Sequence, residues 1–323
     1  MTEPAEDALQ KRIERILLGG ERRYTRADVA ERSGVPPGRA TALWRALGFA
    51  TAGDDEAVFT DGDVRALRTV NDLIRSGIIE PAVAISSARM IGQHMSRLAE
   101  SQVLLLREVV AANPELAGER QLGRLVEQLT PDLELLQDFV WRRHLAAHSV
   151  RTLVAADEDP GERRQVVGFA DMVGFTNLTL RSTEAELVTV VDRFDAIAAE
   201  VVADHHGRIV KMLGDEVLFV ADSPTDAAEI ALTLLERADA TEDVPSLRAG
   251  LALGRVLRRF GDVYGSVVNI ASRLTSVARP GSVLVDRELA AALEDTDTYS
   301  VRHRRPVSVR GYARLRSAGL RRA

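Results

Sequence analysis

Asp171 and Asp215 are the residues whose surroundings most suggest chemistry. Asp171 closes the apolar run Val166-Val-Gly-Phe-Ala-Asp171, which breaks at Met172-Val-Gly-Phe-Thr176. Val and Phe suit a pleated core position and Gly174 punctuates the end, so the run predicts a buried strand. A carboxylate at the tip of such a strand is costly unless neutralised. A metal ion would neutralise it, whereas capping of a helix starting near Thr176 would give it an ordinary structural role. Asp215 lies in Gly214-Asp215-Glu216, between the apolar runs Arg208–Leu213 and Val217–Val220. That pattern predicts a β-hairpin with an acid at its tip. If the two strands are neighbours, the carboxylates meet and repel, and hard divalent cations relieve the repulsion. Asn269 and Arg273 stand four apart in a predicted helix and project together.

The elements that would position these groups alternate along residues 157–323. After the first strand, residues 184–205 form an amphipathic helix with Leu187, Val190, Val191, Phe194 and Ile197 on its core side, stopped by Gly207. The hairpin follows, then a helix over 225–238 and a strand over 247–253. A helix over 267–278 and a strand over 282–285 complete the pattern. The order β-α-β-β-α-β is that of a ferredoxin-like sheet covered by helices, an α+β arrangement.

Residues 1–156 read as all-helical. In Tyr24–Gly48 a short helix stops at Gly34, Val35-Pro36 turns the chain, and a second helix carries Ala40, Leu43, Trp44 and Leu47 on one face. Together with Val58–Leu67 this resembles the helix-turn-helix of MerR-type regulators. DNA binding through Arg39 and Arg45 would follow from that resemblance. Ala40, Thr41 and Ala42 offer little to read bases with, and no basic stripe follows, so a regulatory or protein-contact module is the expectation. Pro81 starts a further helix, and Ser101–Val110 is apolar over most of its circumference and predicts burial. His144 and His148 lie four apart on one helical face. Without further ligands they suit packing at a domain or dimer contact, where protonation could alter docking. The polar stretch Ala155–Arg164, with Pro160 and Gly161, marks the expected domain junction.

Composition narrows the classes. The 323 residues suffice for two domains, 46% are apolar and 28% charged, and the net charge of −6 implies no strong attraction to nucleic acid or anionic lipid. The absence of cysteine removes thiolate nucleophiles, disulfides and zinc-thiolate sites. No signal-peptide pattern and no run of about eighteen apolar residues is present, so the expectation is a cytoplasmic protein without a membrane span.

Residues 166–312 resemble the catalytic domain of class III nucleotidyl cyclases. The resemblance rests on Phe169-Ala-Asp171-Met-Val-Gly-Phe-Thr176, Lys211-Met-Leu-Gly-Asp215-Glu216 and Gly261-Asp262-Val-Tyr-Gly265-Ser-Val-Val-Asn269-Ile-Ala-Ser-Arg273. It implies an adenylate cyclase that attacks the α-phosphorus of ATP with the ribose 3′-hydroxyl, releasing pyrophosphate and 3′,5′-cyclic AMP. Asp171, Asp215 and the backbone carbonyl of Met172 would hold two Mg²⁺ or Mn²⁺. Asn269 would orient the ribose and Arg273 stabilise charge on the phosphoryl group. Lys211 and Asp262 match the acceptor and donor of adenine, the reverse of guanine's edge. Arg310, in Val309-Arg310-Gly311-Tyr312, would contact phosphates. The family site forms between two domains, so a homodimer with two shared sites is implied. The N-terminal domain would restrain it, with pH among the expected signals. The alternative is a DNA-binding regulator with a nucleotide-sensing cyclase-like domain. A diguanylate cyclase would need Gly-Gly-acid, whereas Leu213 precedes Gly214.

Overall fold

The structure, a computed structural model, describes residues 3–50, 53–153, 163–294 and 296–323. It divides into two compact units, Met1–Arg151 and Thr152–Ala323. The junction expected after residue 156 lies outside the described residues.

The first unit contains α1 (Glu3–Leu17), α2 (Arg26–Ser33), α3 (Pro37–Ala46), α4 (Asp61–Arg75), α5 (Pro81–Ala112) and α6 (Glu119–Leu153), with a 3-10 turn at Pro114–Ala117. Thr25 and Asp28 form a reciprocal capping box at the start of α2, and Gly34 ends it at φ 70°. Glycine adopts that left-handed conformation without a Cβ penalty. Val29, Val35, Leu43, Phe59 and Leu67 bury together, with Trp44 against the Phe59 ring at 4.5 Å. The predicted turn-linked helix pair is therefore present.

The expected burial of 101–110 is not found. Val103, Leu104 and Leu105 are each more than half exposed on α5, and Leu135, Leu136 and Phe139 on α6 likewise. A bond from Gln137 Nε2 to Gln102 Oε1 at 3.4 Å joins the two helices at this level. The side chains that make the segment apolar all round outnumber the neighbours this unit provides.

The second unit runs β1 (Arg163–Met172), α7 (Phe175–Thr179), α8 (Glu184–Asp204), β2 (Arg208–Met212), β3 (Glu216–Ala221), α9 (Pro224–Asp239), β4 (Leu247–Arg259), β5 (Asp262–Tyr264), α10 (Ser266–Val277), β6 (Val283–Asp286), α11 (Arg287–Glu294), β7 (Tyr299–His303), β8 (Val307–Val309), β9 (Tyr312–Leu315) and β10 (Ser317–Arg322). The main sheet has the order β2-β3-β1-β4-β6-β10-β7, with β5 paired to β4. Its first four strands are antiparallel neighbours, the βαββαβ arrangement expected from the sequence, and β6 adds parallel to β4. Strand β4 runs six residues past its predicted end, and turns into β5 through Phe260 at φ 53° and Gly261 at φ 83°. α11 and the strands β7 to β10 have no counterpart in the sequence reading.

Side-chain alternation divides β1 and β3 between two cores. Val166, Ala170, Met172, Val217 and Phe219 pack towards Phe194 and Ala198 of α8 and Leu234 of α9. Burying rings such as Phe194 and Phe219 contributes about 1.5–3 kcal/mol each. Val167, Phe169, Leu218 and Val220 face the other way, towards Val267 and Ala271 of α10. Asp171, Glu216 and Arg248 share the parity of this second face.

Candidate active site

The tips of β1 and of the β2–β3 hairpin meet through the backbone. Met172 N–H donates to the Asp215 carbonyl at 2.9 Å, and Asp171 lies opposite Glu216 in the β1–β3 register. Leu213 N–H donates to Glu216 O at 2.7 Å and Gly214 takes φ 74°, closing the hairpin with Asp215 at its tip. The adjacency expected of the two aspartates is thus built from strand order and a tight turn. Asp171 does not cap the following helix. It sits inside β1, and α7 starts from Gly174 without a side-chain cap bond. The Met172 side chain is 1% exposed in the core, so only its backbone can serve the site.

Arg248, opposite Asp171 on β4, donates from Nε at 2.8 Å and Nη2 at 2.6 Å to the same oxygen, Asp171 Oδ2. Its Nη1 reaches the Ser276 carbonyl near the end of α10 at 3.3 Å. Burial raises the Asp171 carboxyl above its usual range; Arg248 opposes this and the charge of Asp215 adds to it. Glu216 is pushed up to about 7 by burial and by the charges of Asp171 and Asp215, with Arg248 pulling the other way. Three carboxylates crowd one end of the sheet, and the upward shifts of Asp171 and Glu216 mark a partly desolvated cluster short of positive charge.

Lys211 Nζ lies 2.8 Å from Asp262 Oδ2. Strand β2 supplies the lysine and the first residue of β5 the aspartate, so the long β4–β5 hairpin brings them together. Burial alone would raise Asp262, but the bond and charge of Lys211, with the Val263 N–H, hold it below the usual range. Asn269 and Arg273 lie on α10, whose opposite side buries Val267, Ala271 and Leu274. Among the described residues neither the Asn269 amide nor the Arg273 guanidinium has a side-chain hydrogen bond or ion pair, in contrast to Lys211 and Arg248. Helix α10 approaches β4 closely: a Cβ at Gly250 would stand 2.3 Å from Thr275 N and 2.6 Å from Ala271 O. Arg310 is exposed at the β8–β9 turn, in a separate two-stranded sheet.

The pattern of the adenylate and guanylate cyclase catalytic domain matches residues 162–319. An adenylate cyclase of Streptomyces coelicolor is 46% identical over 294 residues, covering 90% of this chain and 77% of that protein. One from Glutamicibacter nicotianae is 39% identical over 318 residues, covering 93% and 79%. A pH-sensitive adenylate cyclase of Mycobacterium tuberculosis is 32% identical over 293 residues, covering 87% and 73%. The chain belongs to the class III adenylate cyclases. Similarity spans the helical unit as well as the catalytic one, and it lends no support to a DNA-binding regulator.

Cyclases of this family use divalent cations. Among the described residues no group of three or more His, Cys, Asp or Glu side chains is arranged to hold a metal by itself. Asp171 and Asp215 nevertheless suit one. They are hard oxygen donors in a cluster short of positive charge, where the guanidinium of Arg248 already occupies one carboxylate oxygen. Further ligands would have to include oxygens from outside the protein side chains. No described helix is long and apolar enough to cross a membrane.

Sequence reasoning overlooked Arg248 and Glu216. Arg248 had a visible signal, a lone cation inside the apolar strand Leu247-Arg-Ala-Gly-Leu. Glu216 was quoted in its motif, but its side of the strand is fixed only by the register with β1. His144 and His148 stack on exposed α6 with ring centroids 6.4 Å apart, and no third ligand joins them among the described residues.

Proposed function

We propose that this adenylate cyclase cyclises ATP in a site shared by two copies of the chain. Asp171, Asp215 and the Met172 carbonyl would hold two Mg²⁺ or Mn²⁺. When bound, such ions neutralise the triphosphate and acidify the ribose 3′-hydroxyl. The observation that carries this reading is the Met172 N–H to Asp215 O bond, which ties the backbones of the two aspartate-bearing strand ends together.

From the second copy, Lys211 donates to adenine N1 and Asp262 accepts from the N6 amino group; their 2.8 Å pairing supports this division of labour. Asn269 orients the ribose. Arg273, unpaired among the described residues, stabilises charge on the α-phosphoryl group as the P–O bond to pyrophosphate breaks. Arg310 contacts the outer phosphates. No protein nucleophile is needed, since the 3′-oxygen attacks directly.

A homodimer also fits the helical unit. Val103, Leu104 and Leu105 of α5 and Leu135, Leu136 and Phe139 of α6 are exposed apolar side chains on the two helices that the Gln102–Gln137 bond joins. A second copy is the occupant a shared catalytic site requires, and covering these side chains would release bound water. The β4–β5 turn at Phe260–Gly261 is short, and on this reading the contact between copies leans more on the helical unit. Through that contact the helical unit can restrain the catalytic pair, in a soluble, cytoplasmic enzyme.

Purified full-length protein supplied with ATP or GTP, in Mg²⁺ or Mn²⁺, tests the proposal. Cyclic AMP from ATP, with little product from GTP, is expected. No cyclic nucleotide under any of these conditions would overturn it.

A further inference from the structure

Arg248 has no part in the chemistry described above, yet it holds the residue on which that chemistry depends. Its Nε and Nη2 both donate to Asp171 Oδ2, at 2.8 and 2.6 Å, and so take up the lone pairs of that oxygen. Only Oδ1 remains. The pair is shielded, with the Asp171 side chain 15% exposed and that of Arg248 30% exposed. The register sets Asp171 and Arg248 directly opposite on β1 and β4, so the contact is a property of the strand pairing. The third prong, Nη1 to Ser276 O, anchors the guanidinium at the carbonyl-rich end of α10, where a cation is favoured.

A carboxylate oxygen that already accepts two N–H donors has little lone-pair capacity left for a cation. Asp171 therefore cannot offer Oδ2 to a divalent ion while Arg248 keeps it. We propose that Arg248 is a positioning residue that latches Asp171 in the metal-free enzyme and competes with divalent cations for its Oδ2. This rests on the reading of Asp171 as a metal ligand. The latch holds a buried carboxylate in place and neutralised until cations arrive, and it weakens cation binding by the free energy needed to release the fork.

Removing any positive charge near a cation site tightens binding, so a charge-neutral variant alone would not isolate the latch. Arg248→Lys does. It keeps the charge but replaces a rigid two-pronged fork by a mobile ammonium. Binding of Mn²⁺ alone to the full-length protein, followed by electron paramagnetic resonance or calorimetry without nucleotide, is the measurement. We expect R248K to bind Mn²⁺ several-fold tighter than wild type and R248Q tighter still. Equal affinity of R248K and wild type would leave only a charge effect and overturn the latch. D171N should lose this site in every background. If it binds Mn²⁺ as wild type does, the metal reading of Asp171 fails, a result distinct from a failed latch over an intact site. Should the Arg248 variants not fold, the wild type still decides. The Arg248 Nε–H nuclear magnetic resonance signal should shift as Mg²⁺ is added, and an unmoved signal at saturating Mg²⁺ would refute release.

Discussion

Lys211 and Asp262 face each other at 2.8 Å, the lysine from β2 and the aspartate from the start of β5. The two groups hold each other in place, so each is presented as a fixed donor or acceptor. Exchanging them, Lys211→Asp with Asp262→Lys, keeps the ion pair and reverses the order of donor and acceptor. Catalytic efficiency with ATP should fall at least about 10-fold, since each mispaired polar contact costs ~1.5–3 kcal/mol. Steady-state rates with both nucleotides check this, and an unchanged preference for ATP would remove the pair from base recognition.

Arg273 occupies the same helical face as Asn269, one turn on, and has no ion-pair partner among the described residues. A side chain held unpaired at such a position is available for charge that develops only during reaction. Arg273→Ala should lower kcat by about 100-fold or more with KM little changed, because a single transition-state donor is worth roughly that much. Equal loss in KM instead would assign it to ground-state binding.

Gly250 lets α10 lie against β4, and through α10 it sets where Asn269 and Arg273 stand. The methyl of Gly250→Ala would come within 2.6 Å of the Ala271 carbonyl and closer still to Thr275 N. Backbone atoms cannot turn aside, so the helix must shift. A stability loss of about 1–3 kcal/mol is expected from overpacking, together with a fall in kcat in the same direction as that expected for Arg273→Ala. Urea unfolding and turnover, measured on the same preparation, separate the two effects.

The legible part of the sequence was the part with local signals. Gly34, Gly174 and Gly214 stop elements where they stand, and the apolar alternation of 166–170 and 217–220 sets both strands. The acids at the strand tips therefore emerged early, whereas Lys211 and Asp262 came only from the resemblance to the cyclase motifs. Arg248 did not, because its meaning depends on which residue lies across β1 and β4, a register that no local pattern encodes. The exposed stretch 103–105 misled for a related reason. An all-round apolar helix announces that something covers it, without saying whether the cover belongs to the same chain. The late strands β7 to β10 are short, and arginines within β7, β9 and β10 blur their alternation.

Asp286 offers a pH test away from the active site. Its Oδ1 accepts from Leu289 N–H at 3.0 Å and Leu253 N–H at 3.2 Å, tying the start of α11 to β4. Burial raises its carboxyl above the ordinary range, against the pull of those backbone bonds. A raised folded-state value means the stabilising contribution is complete below the unfolded pKa, about 3.9, and is lost as pH rises through the folded value. Asp286→Asn keeps an acceptor oxygen and carries no charge. Its melting temperature should therefore gain on the wild type as pH rises from 4 to 7. A difference independent of pH would show that the buried charge is not the controlling factor.

The exposed apolar side chains of α5 and α6 make the strongest demand on assembly. Phe139 is 60% exposed and Leu135 69% on α6, and Val103 and Leu105 are 56% exposed on α5. Placing charge there, as in Leu135→Glu with Phe139→Glu, leaves the core of the helical unit around Leu43 and Phe59 untouched. If a second copy covers the exposed side chains, sedimentation should shift towards the monomer, because each desolvated carboxylate costs several kcal/mol. Cyclase activity should fall with it and recover in part at higher protein concentration, as mass action requires of a shared site. A variant that stays dimeric with unchanged activity would place the contact elsewhere. One that becomes monomeric with full activity would instead sever the link between assembly and catalysis.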